Sequence, residues 1–170
     1  MNLDKDFDEI PLYSNILDEL YQGGTEEEAT IYRGNKRLPT VGDPRPFDSV
    51  VSLCAYTLPV GWLVKEMRFA FPDGPLEPWT VNEIEAIADW VYAQWQAGDR
   101  VLIRCQAGMN RSSLVTALVL IKDGLSADEA IALIRKQRSE YCLSNQHFVE
   151  YLQTRGATPS PLSKGQLDRL

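Results

Sequence analysis

The chain has 170 residues, 44% of them hydrophobic and 24% charged, with a formal net charge of −7. That length fits one domain whose core needs neither disulfides nor metal, and the acidic balance argues against generic binding to nucleic acid or an anionic membrane. The three cysteines, Cys54, Cys105 and Cys142, form no Cys-x-x-Cys pair, so neither a disulfide framework nor structural zinc is expected.

The start, MNLDKDFDEI, lacks an apolar signal core, and the longest apolar run, near Leu114 to Ile121, is far too short to cross a bilayer. A soluble, cytoplasmic protein is expected. Ile16 to Gly24 reads as a short strand closed by glycines. Residues 25–46 hold Glu26, Glu27 and Glu28, then Pro39, Gly42, Pro44 and Pro46, the composition of a loop-rich insertion.

Phe47 to Cys54 is a β-branched apolar run that predicts a strand buried on both faces. Lys65 to Phe71 alternates and predicts a further strand, cut short by the loop signal Phe71-Pro72-Asp73-Gly74-Pro75. Thr80 and Glu83 form a capping-box pattern. Val81, Ile84, Ile87, Ala88, Val91 and Trp95 then recur at helical spacing, with Gly98 as the stop.

Arg100 to Arg104 predicts the next strand. A short loop follows, then an apolar helix to about Asp123, stopped by Gly124. Ser126 and Glu129 repeat the capping-box pattern before another helix, and a last helix is expected from Ser144 or Asn145 to about Thr154. Residues 157–170 predict an irregular tail.

Strands alternating with helices give an α/β domain over 1–156, with a largely parallel central sheet of four to five strands flanked by helices. Ligands gather at the carboxyl ends of such strands. Cys54, Asp73 and Cys105 all fall where a predicted strand ends.

The stretch VLIRCQAGMNRSSLVTALVLIK, residues 101–122, carries the chemistry. A helix N-terminus offers unpaired N–H groups and a partial positive charge. Wrapping Gln106, Ala107, Gly108, Met109 and Asn110 ahead of it makes an anion-binding nest. Arg111 adds a planar fork for two oxygens of a tetrahedral oxyanion, and Gly108 permits a backbone conformation that a side chain would obstruct. Cys105 then lies on the floor of a phosphate-sized cradle, whose field favours the thiolate that a nucleophile needs. Ser112 is placed to donate to that sulfur and ease its departure.

Cys105-Gln106-Ala107-Gly108-Met109-Asn110-Arg111-Ser112 resembles the Cys-x5-Arg-Ser/Thr signature of the cysteine-dependent phosphatases. The order of elements is similar to the compact dual-specificity branch of the protein tyrosine phosphatases, over about residues 16–153, including LYQGG, FDSVVSLC, FPDGP and NQHFVEYL. The resemblance implies that fold, a cysteinyl-phosphate intermediate, no cofactor and no metal. It also implies that Asp73, in FPDGP, protonates the leaving oxygen. The family usually has histidine where this chain has Arg104, a residue that helps to set the cysteine's environment. Related phosphatases with a Leu-Cys-Ala segment at the strand matching Leu53-Cys54-Ala55 make Cys54 a possible redox partner of Cys105.

Other residues carry plainer readings beside functional ones. His147, the only histidine, invites a cysteine–histidine dyad with Cys105, but its place on the last helix favours packing or exposure. Arg135, Lys136 and Arg138 gather at a helix C-terminus, where cations complement the dipole; Arg138 is a lesser candidate for a second phosphate contact. Trp79 is a candidate border of the pocket.

Members of the resembled family that act on highly phosphorylated inositol lipids often carry lysines in this loop. Here Gln106, Ala107, Met109 and Asn110 are uncharged, so the resemblance implies phosphoprotein or small phosphomonoester substrates instead. A monomeric phosphatase acting on phosphotyrosine, and on phosphoserine or phosphothreonine as a further class, is expected. The alternative is a catalytically weak or inactive phosphatase-fold module that binds phosphorylated ligands.

Overall fold

The computed structural model describes residues 10–25, 45–61 and 63–157. The expected loop-rich insertion lies mostly at 26–44 and the expected tail at 158–170, outside the described residues. The strands are β1 (Tyr13–Leu17), β2 (Leu20–Gly23), β3 (Ser49–Ser52), β4 (Lys65–Arg68) and β5 (Val101–Arg104). The helices are α1 (Pro78–Gln96), α2 (Arg111–Lys122), α3 (Ala127–Gln137) and α4 (Gln146–Ala157). The expected α/β architecture with a flanked central sheet is the one observed.

The strands form a single five-stranded sheet in the order β1-β2-β5-β3-β4. β5 pairs in parallel with β2 and β3, and β3 with β4, while β1 pairs antiparallel with β2. All residues of β3 and β5 are buried, the polar Ser49, Ser52 and Arg104 included, because both strands lie inside the sheet with each face covered. β4 lies at the edge and keeps Lys65 and Arg68 exposed, charges that discourage pairing with another chain.

Alternation along β5 sends its side chains to opposite faces. Val101, Ile103 and Cys105 join the helix-side core with Ile84, Leu114, Leu118 and Phe148. Leu102 joins Phe47, Val50 and Val64 on the other face. There Phe47 packs edge-on against Tyr13 and Tyr21, with ring centroids 5.0 and 5.2 Å apart.

Helix α2 is buried from Ser112 to Leu120, because β5 and β2 lie against it on one side and α1, α3 and α4 surround the rest. Each buried leucine stabilises the fold by about 1.5–3 kcal/mol, and Leu118→Ala would cost about 2–5 kcal/mol through the cavity left behind. That packing fixes the first turn of α2, where Arg111 and Ser112 sit. Among the described residues no helix is long and apolar enough to cross a membrane.

Two expected elements differ. Ile16 to Gly24 is not one strand: β1 and β2 form a hairpin around Asp18 and Glu19, with Glu19 at φ 62°. No glycine or proline marks this turn. It is held instead by the Trp95 indole, which donates to the Asp18 carbonyl at 2.6 Å, and by Val101 N–H donating to the Glu19 carbonyl at 2.9 Å.

The second difference is Thr80, which caps nothing. Proline at the first helical position starts α1 at Pro78, with Glu77 at the N-cap and Thr80 buried inside the first turn. The Ser126–Glu129 capping box of α3 is formed in both directions.

Candidate active site

The loop between β5 and α2 is shaped from behind. Cys105 N–H donates to the Gly23 carbonyl at 3.2 Å, so β2 fixes the start of the loop. Gly108 has φ 72°, and a Cβ there would run into the Gly23 backbone and the Arg138 guanidinium. Only glycine satisfies both demands.

The Gly108 carbonyl accepts from Gln22 Nε2 at 3.0 Å and from Arg138 Nε at 2.6 Å, and the Ala107 carbonyl accepts from Arg138 Nη2 at 3.2 Å. In a trans peptide the carbonyl and the following N–H point opposite ways. Tying these carbonyls to the outer side therefore turns the N–H groups of residues 108 and 109 inward.

The inner side is a pocket of about 360 Å³ lined by Asp73, Cys105, Gln106, Ala107, Met109, Asn110, Arg111, Tyr141 and Ser144. Cys105 is 2% exposed and lies 3.3 Å, Sγ to Oγ, from Ser112. Arg111 reaches across from the first turn of α2. Its Nη1 donates to the Leu53 and Phe71 carbonyls at 3.3 Å each, while its buried Nε has no protein partner. An unpaired buried donor costs about 1–3 kcal/mol, a cost that an oxyanion in the pocket would relieve.

Asp73 is held by two amides. Asn110 Nδ2 donates to its Oδ2 at 2.9 Å and Asn145 Nδ2 to its Oδ1 at 2.8 Å. Asn110 Oδ1 in turn accepts from Ser144 Oγ and from Asn145 N–H, at 3.2 Å each. The loop that carries Asp73, the loop between β5 and α2 and the entry to α4 are thus tied together.

Asn145 carries no chemistry on its own account and was legible only as part of NQHFVEYL. Gly108 alone among residues 105–111 does not line the pocket, since it turns back onto Gly23.

Other candidates fall elsewhere. Arg138 is buried behind the loop, where its donors also reach the Pro11 and Gln22 carbonyls and Ser14 Oγ; it braces the loop from outside and does not line the Cys105 pocket. His147 is exposed near the start of α4, and neither it nor Trp79, which is 58% exposed and packs edge-on to Phe69, lines the pocket.

Cys54 lies just beyond β3, in a segment beside β5, and all three cysteines are free thiols. Burial pushes the Cys142 thiol above its usual range, against the opposing hydrogen bond with Ser113 and the charge of Arg138. Arg104 points to the sheet face opposite Cys105, where Ser52 Oγ accepts from its Nε at 2.9 Å.

Cys105 just beyond β5, a loop with inward N–H groups and a helix opening on Arg111 make a candidate anion site at the edge of an α/β sheet. Residues 75–156 match the family model described as dual specificity phosphatase, catalytic domain. Comparison with curated proteins by sequence gives no match.

Among solved structures, human DUSP28 is 21% identical with a TM-score of 0.70, the match covering 86% of this chain and 94% of that one. DUSP15 is 21% identical with a TM-score of 0.67, covering 93% and 96%. Tk-PTP, solved in its active form, is 24% identical with a TM-score of 0.66, covering 85% and 98%. Over residues 75–156 the chain is thus similar to the catalytic domain of dual-specificity phosphatases, and its fold is the one those solved structures share.

Proposed function

We propose that the protein hydrolyses phosphomonoesters, phosphotyrosine foremost and phosphoserine or phosphothreonine as further substrates, through a cysteinyl-phosphate intermediate. The observation that carries this reading is Arg111, which lines one pocket with Cys105 and Asp73 and keeps a buried Nε without a protein partner.

The phosphoryl oxygens bind the loop N–H groups and the Arg111 fork, which stabilise the charge spreading over them in the transition state. Cys105 Sγ attacks phosphorus, the ester P–O bond breaks, and the leaving oxygen takes a proton from Asp73. Water then gives its proton to Asp73 and attacks phosphorus. The S–P bond breaks, and Ser112 Oγ donates to the departing sulfur, releasing inorganic phosphate.

Apart from Asp73 and Arg111 the pocket is lined by uncharged side chains, which supports a phosphoprotein or a small phosphomonoester as partner. The reading needs no cofactor, and a monomer suffices for it.

Hydrolysis of p-nitrophenyl phosphate in the presence of chelator, with and without vanadate, tests it. Vanadate-sensitive, chelator-resistant turnover that disappears in Cys105→Ser is expected. Undiminished activity in that variant would remove Cys105 as nucleophile. Binding of phosphopeptides without turnover would favour a recognition module.

A further inference from the structure

We infer that Arg104 is a positioning residue for Arg111, acting through the Leu53 carbonyl; this rests on the phosphatase reading above. Arg104 is fully buried at the end of β5. Its backbone carbonyl accepts from Leu53 N–H at 2.9 Å. Its guanidinium grips the same segment on both sides of Leu53, with Nε donating to Ser52 Oγ at 2.9 Å and Nη2 to the Leu58 carbonyl at 3.2 Å. Leu53 is the residue whose carbonyl receives Arg111 Nη1 at 3.3 Å. One side chain thus brackets the acceptor that orients the other arginine.

The bracket has its own buttress. Glu66 lies 3.8 Å from Arg104 Nη2, accepts from Ser52 Oγ at 2.8 Å through Oε1 and from Val60 N–H at 3.2 Å through Oε2. Arg68 Nη1 joins Glu66 at 2.8 Å and the Leu58 carbonyl at 3.1 Å.

The charge of Arg104 is therefore answered on the face of the sheet away from Cys105. A histidine has only two ring nitrogens and cannot serve the hydroxyl, the carbonyl and the carboxylate together. The arginine fork can.

Arg111 Nη1 has two protein acceptors, the Leu53 and Phe71 carbonyls. With Leu53 free to drift, the guanidinium is no longer aimed, and the oxyanion it should meet is bound less well. Misplacement by about 1 Å can cost on the order of 100-fold in catalysis.

The test titrates the full chain with inorganic tungstate by calorimetry, and measures kcat and KM for p-nitrophenyl phosphate on the same preparations. Arg104→Met is expected to weaken tungstate binding and lower kcat/KM by similar factors, roughly 10- to 100-fold, with Arg104→Lys recovering part of both.

A folded Arg104→Met protein with a normal circular dichroism spectrum that binds tungstate like the parent would reduce Arg104 to a support of the fold, and overturn the inference. If Arg104→Met does not fold, Ser52→Ala removes the Nε acceptor with little change of shape. It should weaken tungstate binding several-fold, and unchanged binding there overturns the inference equally. A parent protein that binds no tungstate would instead bring down the phosphatase reading, and this inference with it.

Discussion

Asn145 Nδ2 donates to Asp73 Oδ1 at 2.8 Å, so the first residues leading into α4 hold the carboxylate at the mouth of the Cys105 pocket. Asn145 also donates to the Gly74 carbonyl at 3.3 Å, and Asn110 takes the other carboxylate oxygen. A turn aspartate serving only its own loop would bond local backbone N–H groups. This one is held by side chains 37 and 72 residues away. These bonds fix the position of the carboxylate, which the proposed proton donor needs in order to stand at a set distance from the leaving oxygen.

Asp73→Asn is therefore expected to slow hydrolysis of phosphate esters with poor leaving groups by ~10²-fold or more, the usual scale of general acid catalysis. Esters whose leaving groups depart readily as anions should lose much less. A series of aryl phosphates graded by phenol acidity measures this. Equal losses along the series would assign Asp73 to the turn alone.

Asn145→Ala should reproduce that leaving-group dependence in weaker form, roughly 10-fold for the poorest leaving group, since the acid stays in place but loses one of its two holders. Tungstate affinity should be unchanged, because Asn145 does not line the pocket. A uniform loss across leaving groups together with weaker tungstate binding would mean that Asn145 supports the whole site and not the acid.

The central motif was legible because its signals are local. An apolar run ending in Cys105 and an apolar helix opening at Arg111 need only neighbours in sequence to be read. The hairpin at Asp18 and Glu19 was not, because its anchors, Trp95 and Val101, lie some eighty residues away and no turn residue marks it. Arg138 read as an ordinary basic helix end for the same reason: its acceptors, from Pro11 to Gly108, are 30 to 127 residues distant. Period-two alternation does place Arg104 and Cys105 on opposite faces, but nothing local names Glu66 and Leu58 as the partners of Arg104.

Gly108→Ala should damage the site more than its size suggests. Alanine at φ 72° is strained, and its Cβ meets the Gly23 backbone, which cannot give way without moving β2. Strain of this kind costs on the order of 1–3 kcal/mol, and the loop will shift to relieve it. A fall in kcat/KM of ~10²-fold is expected, with a lower thermal midpoint. An alanine variant with parental kinetics would show that the loop tolerates the displacement.

Arg138→Met tests the outer brace. The guanidinium serves the carbonyls of Pro11, Gln22, Ala107 and Gly108 and the hydroxyl of Ser14. Methionine keeps much of the volume but leaves these acceptors short of donors, at about 1–3 kcal/mol for each buried one that finds no water. A net loss of roughly 3 kcal/mol lowers the midpoint of a chain this size by about 6–12 °C. Thermal unfolding measures it. A shift under about 2 °C would mean that solvent replaces the guanidinium at little cost.

Cys54 and Cys105 give the last prediction, with Cys142 as its internal control. β3 and β5 are adjacent in parallel, and Leu53 N–H continues their ladder to the Arg104 carbonyl at 2.9 Å. Cys54 comes one residue past the position beside Cys105. Adjacent strands lie about 4.8 Å apart and a disulfide spans Cα distances of about 4.4–6.8 Å, so joining the sulfurs requires the segment beyond β3 to move and turn Cys54 toward Cys105. In the expected sequence peroxide oxidises the Cys105 sulfur to sulfenic acid, releasing water; the Cys54 thiol then attacks that sulfur and a second water leaves. Cys142 does not compete, because burial holds its thiol above the usual range and keeps it protonated. Mild peroxide should inactivate the parent reversibly, and peptide mapping should find Cys54 linked to Cys105 with Cys142 unmodified. Cys54→Ser should be inactivated at a similar rate but recover poorly with dithiothreitol, since the sulfenic acid proceeds to higher oxides. Full recovery of Cys54→Ser, with no linked peptide in the parent, would show that Cys54 is only a small buried residue at the end of its strand.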